Sequence, residues 1–218
     1  MRSPRVRVAL IDYGAGNLRS IGRALALAGA DVGVVTQAPM GERVDGIVLP
    51  GVGAFGAAMA RLQAAGFPNW IRAQVAKGIP LLGVCLGMQL LFARSAESPQ
   101  AQGLGLVPGE VTRLPSGLKV PHMGWNQLAL RQPSPLLDGV ADGSNVYFVH
   151  SYVVRPDDAA DVIATTTYGE EFPSVIQRGR LAGVQFHPEK SAETGQRLLR
   201  GAVAWIASAT VGTPTPLP

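Results

Sequence analysis

Short apolar runs alternate with helical patterns through the first half of the chain, and this alternation constrains the fold more than any other feature. The runs rich in β-branched residues, predicted as strands, are 6–11, 32–36, 46–49 and 80–85. Apolar residues at helical spacing lie between and after them, in 18–29, 56–65, 68–77 and 87–92. Strands that alternate with helices and are apolar throughout predict a parallel sheet with helices on both faces.

The second half of the chain has a different pattern. Its β-branched stretches, separated by Pro, Gly and Asp clusters, are 107–114, 146–154, 162–167 and 174–177. They predict antiparallel strands that either extend the same sheet or form a small second one. A helix is predicted at 193–207, and no break in composition marks a domain boundary. We therefore expect one domain over 1–208, followed by a flexible proline-rich tail over 209–218.

Composition excludes several classes of protein. The single cysteine rules out a disulfide scaffold and a cysteine-rich zinc module, and the three histidines lie far apart, so no metal site is expected. No uncharged run reaches the ~20 apolar residues of a membrane span, and the start of the chain is unlike a signal peptide, so we expect a reducing, cytoplasmic compartment. The net charge is +4, but the basic residues are dispersed, and nucleic-acid binding is not expected.

Cys85 is the first candidate for chemistry. It lies between a predicted strand and a predicted helix, within Gly83-Val-Cys85-Leu-Gly87. Glycines two residues before and two residues after a side chain at such a turn are typical of a nucleophile elbow, which projects the nucleophile from the carboxyl edge of the sheet. The alternative is a small core residue, because free cysteine is among the most buried residue types.

A second candidate is the pair His187 and Glu189, which follows an apolar stretch. In extended backbone, residues two apart point to the same side, so the carboxylate can reach the imidazole ring. The intervening Pro188 restricts His187 to extended dihedral angles. A carboxylate on one ring nitrogen fixes the tautomer and leaves the other nitrogen to face a nucleophile. The alternative is a surface histidine beside an acid.

A glycine-rich turn follows the third predicted strand. Gly51, Gly53 and Gly56 have the G-x-G-x-x-G spacing of a dinucleotide site, which also needs an acidic residue ~20 positions further on. No Asp or Glu lies between Asp45 and Glu97, so the dinucleotide interpretation fails. Backbone N–H groups of this turn, together with the N–H after the candidate nucleophile, are instead candidates for an oxyanion hole.

Together these motifs resemble those of the class I, or triad, glutamine amidotransferases, with 83–89 as the nucleophile motif and 186–189 as the base motif. Within that family, the chain is most similar to the glutaminase subunits of imidazole glycerol phosphate synthase. The segments that carry this narrower resemblance are 12–18, 49–56, 122–126, 147–152 and 185–191. The resemblance implies a flavodoxin-like α/β fold, with a mostly parallel central sheet flanked by helices and additional antiparallel strands in the second half.

The resemblance also implies roles for individual residues. Cys85 would form a γ-glutamyl thioester and release ammonia, with His187 as general base and acid and Glu189 orienting the ring. The residues implied to hold the oxyanion through backbone N–H groups are Val52, Gly53 and Leu86. The residues implied to bind glutamine are Gly51, Gln89, His150, Ser151 and Tyr152. The residues implied to face a partner are Asn17, His122, Trp125, Asn126 and Lys190.

The implied partner is the (β/α)8 cyclase subunit of the synthase, which would form a heterodimer with this chain and use its ammonia in histidine biosynthesis. No cofactor, metal, nucleic acid or membrane is implied. For two of these residues a purely structural role is the alternative: His150 as a strand histidine and Trp125 as core packing.

Three other functions are considered. A class I glutaminase of another synthase, such as one that makes pyridoxal phosphate, would keep the same catalytic residues and change only the partner. A cysteine peptidase or a γ-glutamyl hydrolase would use the same nucleophile on another substrate. A non-catalytic regulatory module with a flavodoxin-like fold is disfavoured by the intact set of Cys85, His187 and Glu189.

Overall fold

The computed structural model describes residues 6–14, 16, 18–39 and 43–211. The helices are α1 (Leu18–Leu27), α2 (Phe55–Ala64), α3 (Phe67–Ala76), α4 (Leu86–Gln89) and α5 (Ala192–Val211). The strands of the first half are β1 (Arg7–Ile11), β2 (Asp31–Val35), β3 (Gly46–Gly51), β4 (Leu81–Cys85) and β5 (Arg94–Ser95). The strands of the second half are β6 (Gly109–Arg113), β7 (His122–Gln127), β8 (Ala129–Leu130), β9 (Asn145–His150), β10 (Tyr152–Pro156), β11 (Val162–Tyr168), β12 (Glu170–Arg178) and β13 (Leu181–Val184).

The main sheet has eight strands in the order β2-β1-β3-β4-β13-β12-β11-β8. From β2 to β13 all neighbours are parallel, and β12, β11 and β8 continue the sheet in antiparallel orientation. A three-stranded sheet, β10-β6-β5, and a two-stranded one, β7-β9, lie beside it. The predicted α/β fold is therefore confirmed. Of the antiparallel strands, some extend the main sheet and others form separate small sheets.

Helices cover both faces of the main sheet, and successive strand residues supply the two cores. In β3, Val48 packs into the core under α1 and α5, whereas Ile47 and Leu49 pack into the core under α2 and α3. This alternation follows from the period of two in a strand, and it explains why the parallel strands are apolar on both faces.

Three details differ from the sequence prediction. The stretch 146–154 forms two strands that separate at Ser151 and pair with different neighbours. Strand β7 was not predicted, because its polar residues and Gly124 give no apolar run. Helix α4 ends at Gln89, short of the predicted 92, because Leu91 and Phe92 continue in tight turns with bonds to the third preceding carbonyl.

The carboxyl end of the chain also differs from expectation. α5 ends at Val211, beyond the predicted helix end at 207 and inside the tail predicted over 209–218, and residues 212–218 of that tail lie outside the described residues. Within the part that the structure describes, no helix combines the length and apolarity needed to cross a membrane.

Candidate functional site

Two neighbouring parallel strands bring the catalytic candidates to one edge of the sheet. β4 and β13 pair with Val84 opposite Val184, so Cys85 lies level with Gln185 although the two are 100 residues apart in sequence. His187 follows at the same carboxyl edge, where ligand sites of α/β sheets occur. The predicted convergence of thiol and imidazole thus depends on this single strand pairing.

The backbone at Cys85 is strained. Cys85 has φ 55° and ψ −113°, a conformation that residues other than glycine rarely adopt. A Cβ at Gly83 would lie 2.6 Å from the Gly87 carbonyl oxygen, and a Cβ at Gly87 would overlap the Leu49 carbonyl oxygen. Both glycines are therefore required for α4 to begin directly against β3 and β4, as a nucleophile elbow needs.

His187 and Glu189 form a buried pair beside the sulfur. Nδ1 of His187 lies 3.0 Å from Oε1 of Glu189, and the two side chains are 6% and 2% exposed. Burial by itself lowers the pKa of His187, but hydrogen bonds to Cys85 and Glu189 and the negative charges of both outweigh burial and raise that pKa to about 10. The raised pKa favours the protonated ring, which has a proton to give to a leaving group.

Gln185 is a site residue that the sequence analysis did not single out. Its side chain is buried, Nε2 donates to Cys85 Sγ at 3.8 Å, and Oε1 accepts from Gln89 Nε2 at 3.0 Å. The Val149 carbonyl oxygen lies 3.8 Å from the same sulfur. Because Gln185 ends an apolar strand run, only its position opposite Cys85 across the sheet identifies it.

A cleft of about 280 Å³ opens above the sulfur. Its lining residues are Val52, Gly53, Cys85, Leu86, Gln89, Glu97, Pro121, Val149, His150, Ser151, Tyr152, His187 and Lys190. The three residues predicted to supply oxyanion N–H groups are among them. Among the described residues, no group of three or more His, Cys, Asp or Glu side chains is placed to hold a metal ion.

The predicted glutamine-binding residues divide into two groups. Gln89, His150, Ser151 and Tyr152 line the cleft, whereas Gly51 does not. Gly51 is buried beneath the cleft, where a Cβ would overlap the hydroxyl of a tyrosine and the start of α4. Glycine at this position is therefore explained by close packing.

His150 lines the cleft, but both of its ring nitrogens are already engaged. Nδ1 lies 3.0 Å from the Tyr152 carbonyl oxygen, and Nε2 lies 3.0 Å from Nδ1 of His122. Burial lowers the pKa of His150 to about 3, against a smaller raising effect of the bond to Tyr152, and the nearby rings of His122 and His187 lower it further. The ring is neutral, and no ring nitrogen remains to contact glutamine.

Glu97 is a second residue that the sequence analysis missed. It lines the cleft, and its Oε2 accepts a hydrogen bond from the Phe55 N–H at 2.7 Å. A carboxylate anchored in this way is a fixed negative charge at the mouth of the site. It lies only eight residues beyond the nucleophile motif 83–89, but its own segment carries no motif that would have identified it.

Two of the residues predicted to face a partner lie at the surface beside the cleft. Trp125 is 55% exposed, and its neighbour Met123 is 63% exposed. Trp125 packs edge-on against Tyr147 at 5.9 Å, and the ammonium of Lys190 lies 5.8 Å from that same ring. Core packing is thus excluded for Trp125. We call the surface formed by Met123, Trp125, Tyr147 and Lys190 the aromatic rim.

The other predicted partner-facing residues are placed differently. His122 is only 3% exposed, so it does not offer a surface to a partner. Asn126 is partly buried, and its amide nitrogen lies 3.3 Å from His122 Nε2 and 3.0 Å from the Thr167 carbonyl oxygen. Asn17 lies outside the described residues.

Comparison with known proteins supports the same family. Residues 9–204 match the family described as "Glutamine amidotransferase class-I". The chain is 51% identical to "Imidazole glycerol phosphate synthase subunit HisH" of Moorella thermoacetica (strain ATCC 39073 / JCM 9320), over 88% of this chain and 92% of that protein. It is 48% identical to the protein of the same description from Aquifex aeolicus (strain VF5), over 89% of this chain and 94% of that protein.

Solved structures share the fold at lower identity. One described as "Structure of PurLQS from Thermotoga maritima" superposes with a TM-score of 0.75 at 19% identity, covering 93% of this chain and 100% of that chain. Another, described as "Crystal structure of glutamine amidotransferase", has a TM-score of 0.73 at 22% identity and covers 92% of this chain and 98% of that chain. At these identities the likeness concerns the fold alone.

Proposed function

Since the chain belongs to the class I glutamine amidotransferases and, within them, to the HisH subunits of imidazole glycerol phosphate synthase, we propose that it hydrolyses glutamine to glutamate and ammonia and passes the ammonia to a cyclase subunit. The observation that carries this proposal is the buried contact of Cys85, His187 and Glu189 at the edge of a cleft. A thiolate beside an imidazolium is the nucleophile that acyl transfer from a carboxamide requires.

The first half of the reaction releases ammonia. The Cys85 thiolate attacks the carboxamide carbon of glutamine, a C–S bond forms, and the electron pair of the C=O bond moves to oxygen. Backbone N–H groups of Leu86 and of the turn at Val52 and Gly53 hold this oxyanion. The C–N bond then breaks while His187 gives its proton to the leaving nitrogen, so that neutral ammonia departs and a γ-glutamyl thioester remains.

The second half of the reaction restores the thiolate. His187, now neutral, takes a proton from water, and the hydroxide oxygen attacks the thioester carbon. The tetrahedral species collapses, the C–S bond breaks, and its electron pair returns to sulfur while the imidazolium keeps the proton taken from water. The product leaves as the γ-carboxylic acid and loses its proton to solvent to become glutamate. Glu189 stabilises the ring cation at both stages through its 3.0 Å contact with Nδ1. Because the sulfur must remain reduced, this chemistry fits the cytoplasm.

The cleft offers groups of suitable charge for the amino-acid end of glutamine. We assign the α-ammonium to the Glu97 carboxylate and to Oε1 of Gln89, both of which line the cleft. We assign the α-carboxylate to the segment at Ser151 and Tyr152, which also lines the cleft. Fixed polar groups of this kind position the carboxamide over the sulfur and make the attack effectively unimolecular.

We assign the docking of the cyclase to the aromatic rim. Exposed Trp and Met side chains beside a cation are the composition that protein interfaces favour. The rim borders the cleft through Lys190, so a partner seated there lies next to the place where ammonia forms. Ammonia that escapes into water near neutral pH becomes ammonium, which is not a nucleophile, so a docked partner gives it a protected route.

Replacing Cys85 with Ala tests the function directly. Glutamine-dependent synthesis by the complex with the cyclase should be lost, because no thioester can form, whereas synthesis from an added ammonium salt should continue at the normal rate. The ammonium reaction controls for folding and for assembly of the complex. Glutamine-dependent synthesis that survived in Cys85→Ala would refute the assignment of the nucleophile.

A further inference from the structure

The two buried histidines that the mechanism does not use meet edge-on beside the cleft, with their ring planes at 74°. His122 in β7 and His150 in β9 are directly opposite each other in the two-stranded sheet, and their exposed fractions are 3% and 5%. The His122 ring is stacked against Tyr168 at 4.1 Å and against Phe148 at 4.9 Å. Two aromatic faces therefore hold the plane of the ring, and only its edge is free for hydrogen bonds.

The hydrogen bonds of this pair run in one direction. Since the Tyr152 carbonyl only accepts, the Nδ1 of His150 must carry a proton, and the Nε2 of the neutral ring must accept. His122 therefore donates from Nδ1 to His150 at 3.0 Å. Nε2 of His122 is then an acceptor, and the Asn126 amide nitrogen, 3.3 Å away, donates to it. Each ring is fixed in the Nδ1–H tautomer by its neighbours.

The same carbonyl orients the glutamine site. The Tyr152 carbonyl oxygen accepts from His150 and also from Gln89 Nε2, at 3.0 Å each. The second hydrogen of the Gln89 amide is donated to Gln185 Oε1 at 3.0 Å, which in turn directs Gln185 Nε2 toward the sulfur. Because both hydrogens of the Gln89 amide are donated to protein acceptors, the orientation of the amide is fixed. Its Oε1 is then available to accept a hydrogen bond from a ligand.

We propose that His122 and His150 are positioning residues for glutamine, which hold the Gln89 amide through the shared Tyr152 carbonyl so that its Oε1 accepts the α-ammonium. The inference rests on the proposed function, since it names how that site is ordered. His150, predicted from the sequence to bind glutamine, acts on it through Gln89 instead. The chain of bonds extends from Asn126, beside the aromatic rim, to the sulfur of Cys85.

The charges around the pair agree with this role. Burial lowers the pKa of His122. The rings of His187, which follows β13, and of His122 in β7 both lower the pKa of His150 by charge repulsion. The facing tyrosines are Tyr152 from β10, through its carbonyl, and Tyr168 from β11, through its ring face. Both rings therefore remain neutral, which the one-directional chain requires.

The first measurement reads the tautomers of the unmodified protein. The chain has three histidines, so ring ¹⁵N spectra of histidine-labelled protein are simple to assign. We expect two neutral Nδ1–H rings, assigned to His122 and His150, and one doubly protonated ring, assigned to His187, at pH 7. Free neutral histidine favours the Nε2–H form, so finding His150 in that form would overturn the proposal even if no variant folded.

The second measurement reads glutamine affinity in the chain alone. A glutamine-like diazoketone alkylates Cys85, and the glutamine concentration that halves the initial labelling rate, read before glutamate accumulates, measures occupancy of the glutamine site. His122→Phe keeps the aromatic stack but leaves the Nε2 of His150 without a donor, and we expect glutamine affinity to fall about ten-fold. His122→Asn, whose amide N–H can replace Nδ1–H, should restore affinity to within about two-fold.

Phe148→Leu is the matched control, because it removes packing from the same ring without altering a polar group. We expect it to lower stability and to leave the His150 tautomer and glutamine affinity within about two-fold of the unmodified chain. Unchanged affinity in His122→Phe, or equal losses in all three variants, would overturn the positioning role. Absence of glutamine protection in the unmodified chain would instead refute the proposed function, and the inference with it.

Discussion

Replacing Glu189 with Gln tests the electrostatics on which the proposed mechanism depends. The change keeps the size of the side chain and removes the charge that lies 3.0 Å from Nδ1 of His187. We expect the pKa of His187 to fall from about 10 but to remain above its ordinary value of 6.5, because the hydrogen bond and the charge of Cys85 still support the cation.

The size of the effect follows from burial. The two side chains are 6% and 2% exposed, so solvent screens their interaction little. A hydrogen bond between charged groups contributes ~1.5–3 kcal/mol, and one pH unit corresponds to ~1.4 kcal/mol. The pKa of His187 should therefore fall by about one to two units, and glutamine turnover should fall at least about ten-fold.

The assay is a pH titration of the His187 ring signals by NMR, combined with glutamine turnover. Glu193→Gln is the matched control, because it removes the same charge from an exposed pair with Arg197 in α5 and should leave the His187 titration unchanged. A pKa of His187 that did not move in Glu189→Gln would refute the reasoning. It would show that Glu189 orients the His187 ring without stabilising its positive charge.

The same pair predicts how stability depends on pH. The folded-state pKa of His187 lies above the unfolded value of 6.5, so its contribution to the free energy of unfolding is fully present below pH 6.5. That contribution is lost as the pH rises through the window from 6.5 to about 10. Urea unfolding between these limits should show a smaller decline in Glu189→Gln, and an equal decline in both proteins would contradict the assignment.

Two further substitutions test the elbow and the rim. Gly87→Ala should lower the free energy of unfolding by ~3 kcal/mol or more, because its Cβ overlaps the Leu49 carbonyl oxygen, whereas the control Gly33→Ala meets no atom within 4 Å. Urea unfolding measures both, and equal stability of the two variants would contradict the packing argument. Trp125→Ala should weaken binding of the cyclase by ~2 kcal/mol or more with little change in Tm, because its ring is 55% exposed. Calorimetric titration against the cyclase checks this with Val34→Ala, at an exposed position of the edge strand β2, as control, and equal affinities would remove the rim from the interface.

Local spacing was sufficient to predict much of the fold and part of the site. The alternation of apolar runs and helical patterns predicted the parallel sheet and its flanking helices, because periodicity of two and of 3.6 is a property of neighbouring residues. The elbow at Cys85 was predictable for the same reason, since Gly83 and Gly87 are needed within one turn. His187 and Glu189 were predictable as a pair because they are two residues apart.

The sequence alone therefore determined each local motif, whereas only the tertiary structure decided which motifs meet. The pairing of β13 with β4 across 100 residues places His187 beside Cys85 and brings Gln185 level with the sulfur. The pairing of β7 with β9 turns His122 and His150 toward each other and leaves Trp125 exposed. Strand pairing of this kind depends on burial and register over the whole sheet, and no short stretch of sequence records its long-range partner.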